Sequence, residues 1–543
     1  MGRHGGGGGG VDGLEAIGPI PRIGATDLEG HRHHAAAAPR HGSHSTGHHG
    51  AGVAGACATP RHPEFRIAML LPWLSSGEAH MPSWLPFFMA TAAHSALLVD
   101  WLIFHEGPLA PFPRGFVRPS NVHLFELPKG GMATLVGGAM AAALKLPEPN
   151  STAIVNRMRH MFHKWPRLVA EYKPAFGAVF AQYLVNYTHW GYSDLDVVLG
   201  QLPRFIERSE LMDQHIVTYS FGDMEAVYLR GQWTMHQNMP MVNDIWQSCK
   251  HLGAGLQNEL FNKVAWARRM EAMGKKNYHK RFLSAEGCYS YRAAYTPGLR
   301  IKVSNKQFVG LKVESPAVED VYVLSGAVWL CQRAGGALDV RALQAASPPA
   351  CDLALPGVHT DEGEARAFRV TREGCGSWMP SEFRMCAAKL KGATRRNLQL
   401  SNGEFWSHGY EEAAELSAQG GRCRQGAFFH MQEWKKRWSD SGHNIDPTAR
   451  FDTFTLSQVT PTLTPTPKPQ PSPKPHSHPK SQPCPGLQTL HPSRRMVSTR
   501  SRCENCVRPH EGRGARRRCA VDCPLSSFTI DTDMISCART SPR

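Results

Sequence analysis

Apolar runs and helical periodicities alternate along the middle of the chain, and both ends lack either pattern. Phe65-Arg-Ile-Ala-Met-Leu-Leu-Pro72 is a short apolar run closed by proline, which predicts a strand buried on both faces. Pro82 to Leu98 suits a helix, and Val99-Asp-Trp-Leu-Ile-Phe104 predicts a second buried strand. Asn121-Val-His-Leu-Phe-Glu-Leu127 alternates and predicts a third. Helical patterns follow at 130–146, 150–165 and 174–187, the last opening at Pro174, a residue tolerated in a first turn. Strand-then-helix repetition at this spacing predicts an α/β fold, a mostly parallel sheet flanked by helices on both faces. From about 297 the pattern becomes β-like at Leu299–Val303, Phe308–Val313 and Val321–Leu324, and 340–425 reads as irregular.

The ends differ in composition. Residues 1–60 carry sixteen Gly and eight His, too little apolar side chain to offset the entropy of ordering, so a disordered tail with at most weak metal affinity at its His clusters is expected. Residues 461–485 hold ten Pro, a polyproline II spacer composition. Beyond them comes a basic tail with Cys503-x-x-Cys506 and Cys519-x-x-x-Cys523, which could close a zinc site or belong to a disordered segment. Four parts follow: a disordered tail at 1–60, a core at 61–295, a β-rich insertion with a helical closing element at 296–455, and a disordered Pro-rich and basic tail at 456–543.

Charge changes the picture less than its total implies. The formal charge is +16, but residues 457–543 hold 14 Lys/Arg against 5 Asp/Glu, so the excess sits mostly in the tail and no nucleic-acid partner is expected. Of the 14 cysteines, six crowd the last 60 residues; the other eight are scattered, read best as buried thiols or spare pairs, and leave the compartment open between the secretory pathway and the cytoplasm. No apolar signal core follows Met1. The uncharged stretch 79–99 contains prolines and histidines, and the Gly/Ala run 130–144 is too short for a span. Both read as buried helices, and no transmembrane helix is expected.

The informative segment is Lys173 to Gly200. It predicts a helix from Pro174, a turn at Trp190-Gly191, and a strand running into Asp194-Leu-Asp196. In an extended chain alternate side chains point the same way, which places the two carboxylates on one side roughly 6–7 Å apart. Mg²⁺ or Mn²⁺ suits such a pair, with the remaining positions left to water and phosphate. Asp-x-Asp alone is common in surface loops; here apolar neighbours (Trp190, Tyr192, Val197-Val-Leu199) make a buried pair costly without a cation.

Glu171-Tyr-Lys-Pro-Ala-Phe-Gly177 and His189-Trp-Gly-Tyr-Ser-Asp-Leu-Asp-Val-Val-Leu-Gly200 resemble the core of a family from bacterial capsule and polysaccharide loci, GT-A-fold glycosyltransferases with the pattern D-F-K-P-A-Y-G … F-W-G-Y-C-D-L-D-x-x-x-G. Ile67–Pro72, Asp100–Phe104, Gly231-Gln-Trp-Thr-Met-His-Gln-Asn238 and His430-Met-Gln-Glu-Trp-Lys435 resemble further elements of it. The chain departs from the pattern at His105-Glu106, Glu171 and Gln237, and 297–424 has no counterpart.

The resemblance implies a GT-A-like (Rossmann-like) core and a metal-dependent glycosyltransferase of polysaccharide biosynthesis. Its donor would be a UDP- or GDP-sugar and its acceptor a glycan or another hydroxyl. Asp194 and Asp196 would hold Mn²⁺ or Mg²⁺ against the diphosphate, and His430 would be a late metal or diphosphate ligand. Lys173 would assist at ribose or phosphate, and Lys435 and Lys436 would neutralise phosphate. Glu286, in Ser284-Ala-Glu-Gly287, would be the base, with Asp223 and Glu225 in a candidate acceptor loop. Two alternatives stand beside this reading: a non-catalytic nucleotide-sugar or carbohydrate binder, and a scaffold that works through its Pro-rich tail.

Overall fold

The computed structural model describes residues 64–457 apart from 75–81, 83, 110, 221–226, 276–284, 310–318, 333–337, 348–365, 372–380, 388–395, 410–416 and 433–452. Residues 1–60 and 458–543 with their His and Cys clusters, and Asp223, Glu225, Lys435 and Lys436, lie outside the described residues, whereas 456–457, expected to open the tail, end β20.

The first strands are β1 (Ile67–Trp73), β2 (Val99–Glu106), β3 (Val122–Leu127), β4 (His189–Ser193), β5 (Val197–Leu199), β6 (Ile216–Ser220) and β7 (Trp233–Gln237). After them come β8 (Arg300–Asn305), β9 (Gln307–Val309), β10 (Glu319–Leu324), β11 (Ala327–Gln332), β12 (Arg366–Ala367), β13 (Val370–Thr371) and β14 (Cys386–Ala387). The last are β15 (Arg396–Ser401), β16 (Glu404–Gly409), β17 (Ser417–Ala418), β18 (Cys423–Gly426), β19 (Phe428–His430) and β20 (Thr453–Ser457). The helices are α1 (Leu85–Ala92), α2 (Gly131–Ala143), α3 (Asn150–Lys164), α4 (Phe176–Val179), α5 (Arg208–Met212), α6 (Pro240–Asn243), α7 (Leu256–Ala272), α8 (Ala285–Tyr295) and α9 (Val340–Ala345).

A ten-stranded sheet, ordered β12-β16-β15-β8-β6-β7-β4-β1-β2-β3, organises the molecule. The chain steps outward from β1 to β2 and β3 in parallel, then returns on the other side of β1 as β4, also parallel. That reversal of strand order is a topological switch point at the carboxyl ends of β1 and β4, the position at which open α/β sheets bind their ligands. Alternation along β1 feeds two cores. Ala68 and Leu70 pack with α2, α3, α7 and α8 on one face, while Ile67, Met69 and Leu71 pack with α1, Leu195 and Phe428 on the other.

The α/β class and the three leading strands match the sequence pattern, but the sheet is mixed. β7 runs antiparallel between β4 and β6, β8 is parallel to β6, and β15, β16 and β12 continue antiparallel. The sheet therefore draws strands from both sides of residue 295, where the change to a β-like pattern predicts a boundary. The region read as irregular contains the β15–β16 hairpin, turned by Asn402-Gly403 at φ 53° and 77°. Those are the left-handed angles of a two-residue hairpin turn.

The expected helix at 174–187 is instead a 3₁₀ stretch, Pro166–Ala175, followed by the short α4. Trp190-Gly191 is not a turn but the middle of β4. The Gly/Ala run is α2, packed on α3, and among the described residues no helix is long and apolar enough to cross a membrane. Four of the scattered cysteines pair, Cys249 with Cys288 and Cys331 with Cys423, and Cys386 is disulfide-bonded too, so these are not buried thiols.

Candidate metal centre and its surroundings

β4 ends at Ser193, and Asp194-Leu-Asp196 forms the bend that joins it to β5. The aspartates are thus not on an extended strand, and their side chains converge by a bend rather than by strand alternation. β5 belongs to a small sheet, β5-β19-β9, in which His430 stands opposite Val197 and the Met431 amide donates to the Asp196 carbonyl at 2.9 Å. This pairing carries His430 from the far end of the folded body to the aspartates.

One ligand atom each from Asp194, Asp196 and His430 lies within 4.8 Å of the others. His430 Nε2 is 3.4 Å from Asp196 Oδ2 and 3.7 Å from Asp194 Oδ2. The Asp196 and His430 side chains are 10% and 5% exposed, and that of Asp194 is 32% exposed. His430 Nδ1 is buried with no hydrogen-bond partner among the described residues. Two carboxylates and an imidazole are hard and borderline donors of the kind that can hold a divalent cation, and the exposed side of Asp194 leaves room for further oxygen ligands.

Lys173 lies on the same side. Its Nζ donates to Asp194 Oδ1 at 2.5 Å and to the Gly231 carbonyl at 2.7 Å, and its side chain is 6% exposed. The 3₁₀ stretch holds it there, because an ordinary helix through Pro174 would rotate it differently around the axis. Glu286, in the first turn of α8, completes the cluster. A Cβ at Gly231 would overlap its Oε1, so the carboxylate rests on a glycine, within reach of the same Lys173. Burial above all, helped by the neighbouring Glu171 and Asp194 and opposed by Lys173 and Arg230, holds the Glu286 carboxyl up at about 7.

Of the residues read from the sequence, Lys173, Asp194, Asp196, Glu286 and His430 come together; Lys435 lies outside the described residues. Arg230 was not anticipated. It is buried, 3.9 Å over the Tyr228 ring, and bonds the Tyr228 hydroxyl at 2.5 Å. Its one signal was a cation placed among Val227, Leu229 and Trp233. The departures at 105–106 and 237 have local partners. The Glu106 carboxylate accepts from the amides of Gly130 and Met132 at 2.9 Å each, which caps α2. His105 Nδ1 meets the Gly107 carbonyl, and the Gln237 side-chain Nε2 donates to the Leu211 carbonyl.

Residues 157–294 match the model of a family of unknown function, DUF6625. That stretch runs from α3 to α8 and includes Lys173, Asp194, Asp196 and Glu286 but not His430. No curated protein matches the chain. A solved structure of a transferase mutant is similar at 12% identity over 33% of this chain and 76% of its own, with a TM-score of 0.18, a likeness from which neither fold nor function follows.

Proposed function

We propose that the chain is a metal-dependent glycosyltransferase with a GT-A-like core, acting on a nucleotide-sugar donor and a glycan or other hydroxyl acceptor. The observation that carries the reading is the convergence of Asp194, Asp196 and His430 at the end of β4, beside the point where strand order reverses. Asp194, Asp196 and His430 would hold Mn²⁺ or Mg²⁺. What a bound cation supplies at such a site is neutralisation of the charge that grows on a leaving nucleoside diphosphate.

The remaining roles belong to the chain's own groups. Lys173, already shared between Asp194 and the Gly231 carbonyl, presents its ammonium to an anionic ligand entering beside Asp194. Glu286 takes the proton of the acceptor hydroxyl as the new glycosidic C–O bond forms and the sugar–phosphate C–O bond breaks. A carboxyl held near 7 is suited to that transfer at neutral pH. The test is a screen of UDP- and GDP-sugars for nucleoside-diphosphate release, with and without Mn²⁺, on wild type and Asp196→Asn. Release by the wild type that the variant equals would sink the metal role.

A non-catalytic nucleotide-sugar or carbohydrate binder is favoured by one feature. Glu106, the acidic residue that ends β2, is engaged on the amides of Gly130 and Met132 at the start of α2 rather than turned to a ligand. Saturable binding of a sugar nucleotide without turnover would select that reading.

A further inference from the structure

Helix α8 carries Glu286 in its first turn, and the turn is held from three directions. Glu171 Oε2 accepts from the Ala285 amide at 3.1 Å, which caps the helix start. Ser290 Oγ accepts from the Leu229 amide at 2.8 Å and donates to the Glu286 carbonyl at 2.6 Å. Cys288, two residues after Glu286, is bonded to Cys249 with a Cα–Cα separation of 5.9 Å.

Cys249 closes the 3₁₀ turn Ile245–Ser248, and its amide donates to the Trp246 carbonyl at 3.0 Å. Both sulfurs belong to buried residues, 0% and 1% exposed, with Trp246 packed in the same core. The first two tethers are hydrogen bonds that exchange in competition with water; the third is covalent. What they hold is sensitive to position, because the Glu286 carboxylate fits against Gly231 only while no Cβ stands there.

We propose that the Cys249–Cys288 disulfide is a positioning link for Glu286, fixing the first turn of α8 so that the carboxylate stays over Gly231 and beside Lys173. The inference rests on the proposed function for the role of Glu286, but not for the mechanical claim. The link forms from two thiols, losing two electrons and two protons to a disulfide oxidant such as oxidised glutathione; a dithiol reverses it. Misplacement of a reacting group by about 1 Å costs on the order of a hundredfold in rate. Its loss is therefore read in turnover rather than in donor affinity.

The experiment uses the full chain in wild-type form and as Cys249→Ala/Cys288→Ala. Hydrogen exchange of peptides covering 285–295, Mn²⁺ affinity, and kcat and KM for a donor found in the screen are measured on both. The expected result is exchange in the first turn of α8 faster by about tenfold or more, unchanged exchange in β1, β2 and β4, unchanged Mn²⁺ affinity, and a fall in kcat with little change in donor KM. Refolding the wild type with and without oxidant gives the same exchange comparison should the double variant not fold. Unchanged exchange at 285–290, or non-reducing peptide mapping that finds Cys249 and Cys288 unlinked, overturns the link. A looser α8 in a protein that turns over no donor supports the link and removes the transferase reading; turnover with an unmoved α8 does the reverse.

Discussion

His430 Nε2 sits 3.4 Å from Asp196 Oδ2, although the two residues stand in segments far apart along the chain. Strand pairing makes the contact, since β19 lies antiparallel to β5 with His430 opposite Val197. A site assembled in this way is complete only when the small sheet is formed, so metal binding and folding of β5-β19-β9 should be linked.

The first prediction concerns that linkage. Mn²⁺ binding to the folded state alone raises stability by about 2.7 kcal/mol at a hundred times Kd. Wild type should therefore show a Tm that climbs with Mn²⁺ and falls back with a chelator. Asp196→Asn and His430→Ala should each flatten the climb and cut diphosphate release on the order of 10²–10³-fold. A full Tm response in both variants would place the ion elsewhere.

Glu286 gives the pH dependence. Burial raises its carboxyl to about 7, so turnover governed by its free carboxylate should rise with pH to a half-maximum near 7. The stability effect has the opposite sign. A folded pKa above the unfolded value means the contribution is fully present below about 4.5 and lost as pH rises through 7. Glu286→Gln keeps the neutral shape. It should lose turnover yet melt higher than wild type at pH 8, by an amount on the order of 1–3 kcal/mol. Thermal melts at pH 5 and pH 8 check this, and a variant that melts lower at both would show the carboxylate to be paired rather than strained.

Much of this was legible from the sequence. The apolar runs that became β1 and β2 are buried along most of their length, and Lys173, Asp194 and Asp196 lie in one short, recognisable stretch, with Glu286 in a separate motif well downstream. What failed did so for physical reasons. Apolar spacing at 174–187 fits a helix, yet tertiary packing of Phe176 and Phe180 in the core breaks it into shorter turns. Trp190-Gly191 reads as a turn only if glycine is taken as punctuation; here it is a strand residue pressed against the Thr234 carbonyl. The Asn402-Gly403 turn stands inside a stretch with little periodicity, so the strands on either side of it carry no clear alternation. Disulfide partners cannot be chosen from spacing, because Cys249 and Cys288 meet only after α8 folds back on the Ile245–Ser248 turn.

Two buried histidines predict acid sensitivity. His236 stacks on Trp190 with centroids 3.9 Å apart, and burial lowers its imidazole to about 3; burial lowers His189 to about 4. Each is neutral in the folded state, while the unfolded chain takes up a proton near 6.5. Stability is thus fully present above about 6.5 and lost as pH falls toward 4 and 3. His236→Phe, which keeps the stack without a titrating nitrogen, should narrow the loss of Tm between pH 7 and pH 4.5. An unchanged slope would assign the acid response to other groups.

A last prediction follows from four charges beneath the small sheet. Lys306 Nζ lies 2.9 Å from Glu207 and 2.7 Å from Glu210, and Lys302 lies 2.7 Å and 3.3 Å from the same two carboxylates. All four side chains are 5% exposed or less. Burial alone would raise the Glu210 carboxyl, but the two ammonium groups hold it below the ordinary range. Lys306→Met therefore strands negative charge in the interior and should cost about 3–5 kcal/mol in urea unfolding. The damage should also reach the metal centre. The Lys306 carbonyl accepts from the Ala427 amide at 2.7 Å, and the next residue begins β9, which pairs with the strand that bears His430. Mn²⁺ affinity should fall in Lys306→Met and be restored largely by Lys306→Met combined with Glu210→Leu, which removes the excess negative charge and leaves Glu207 paired with Lys302. If the single variant binds Mn²⁺ as wild type does while losing stability, the charges support the fold without holding His430 in place.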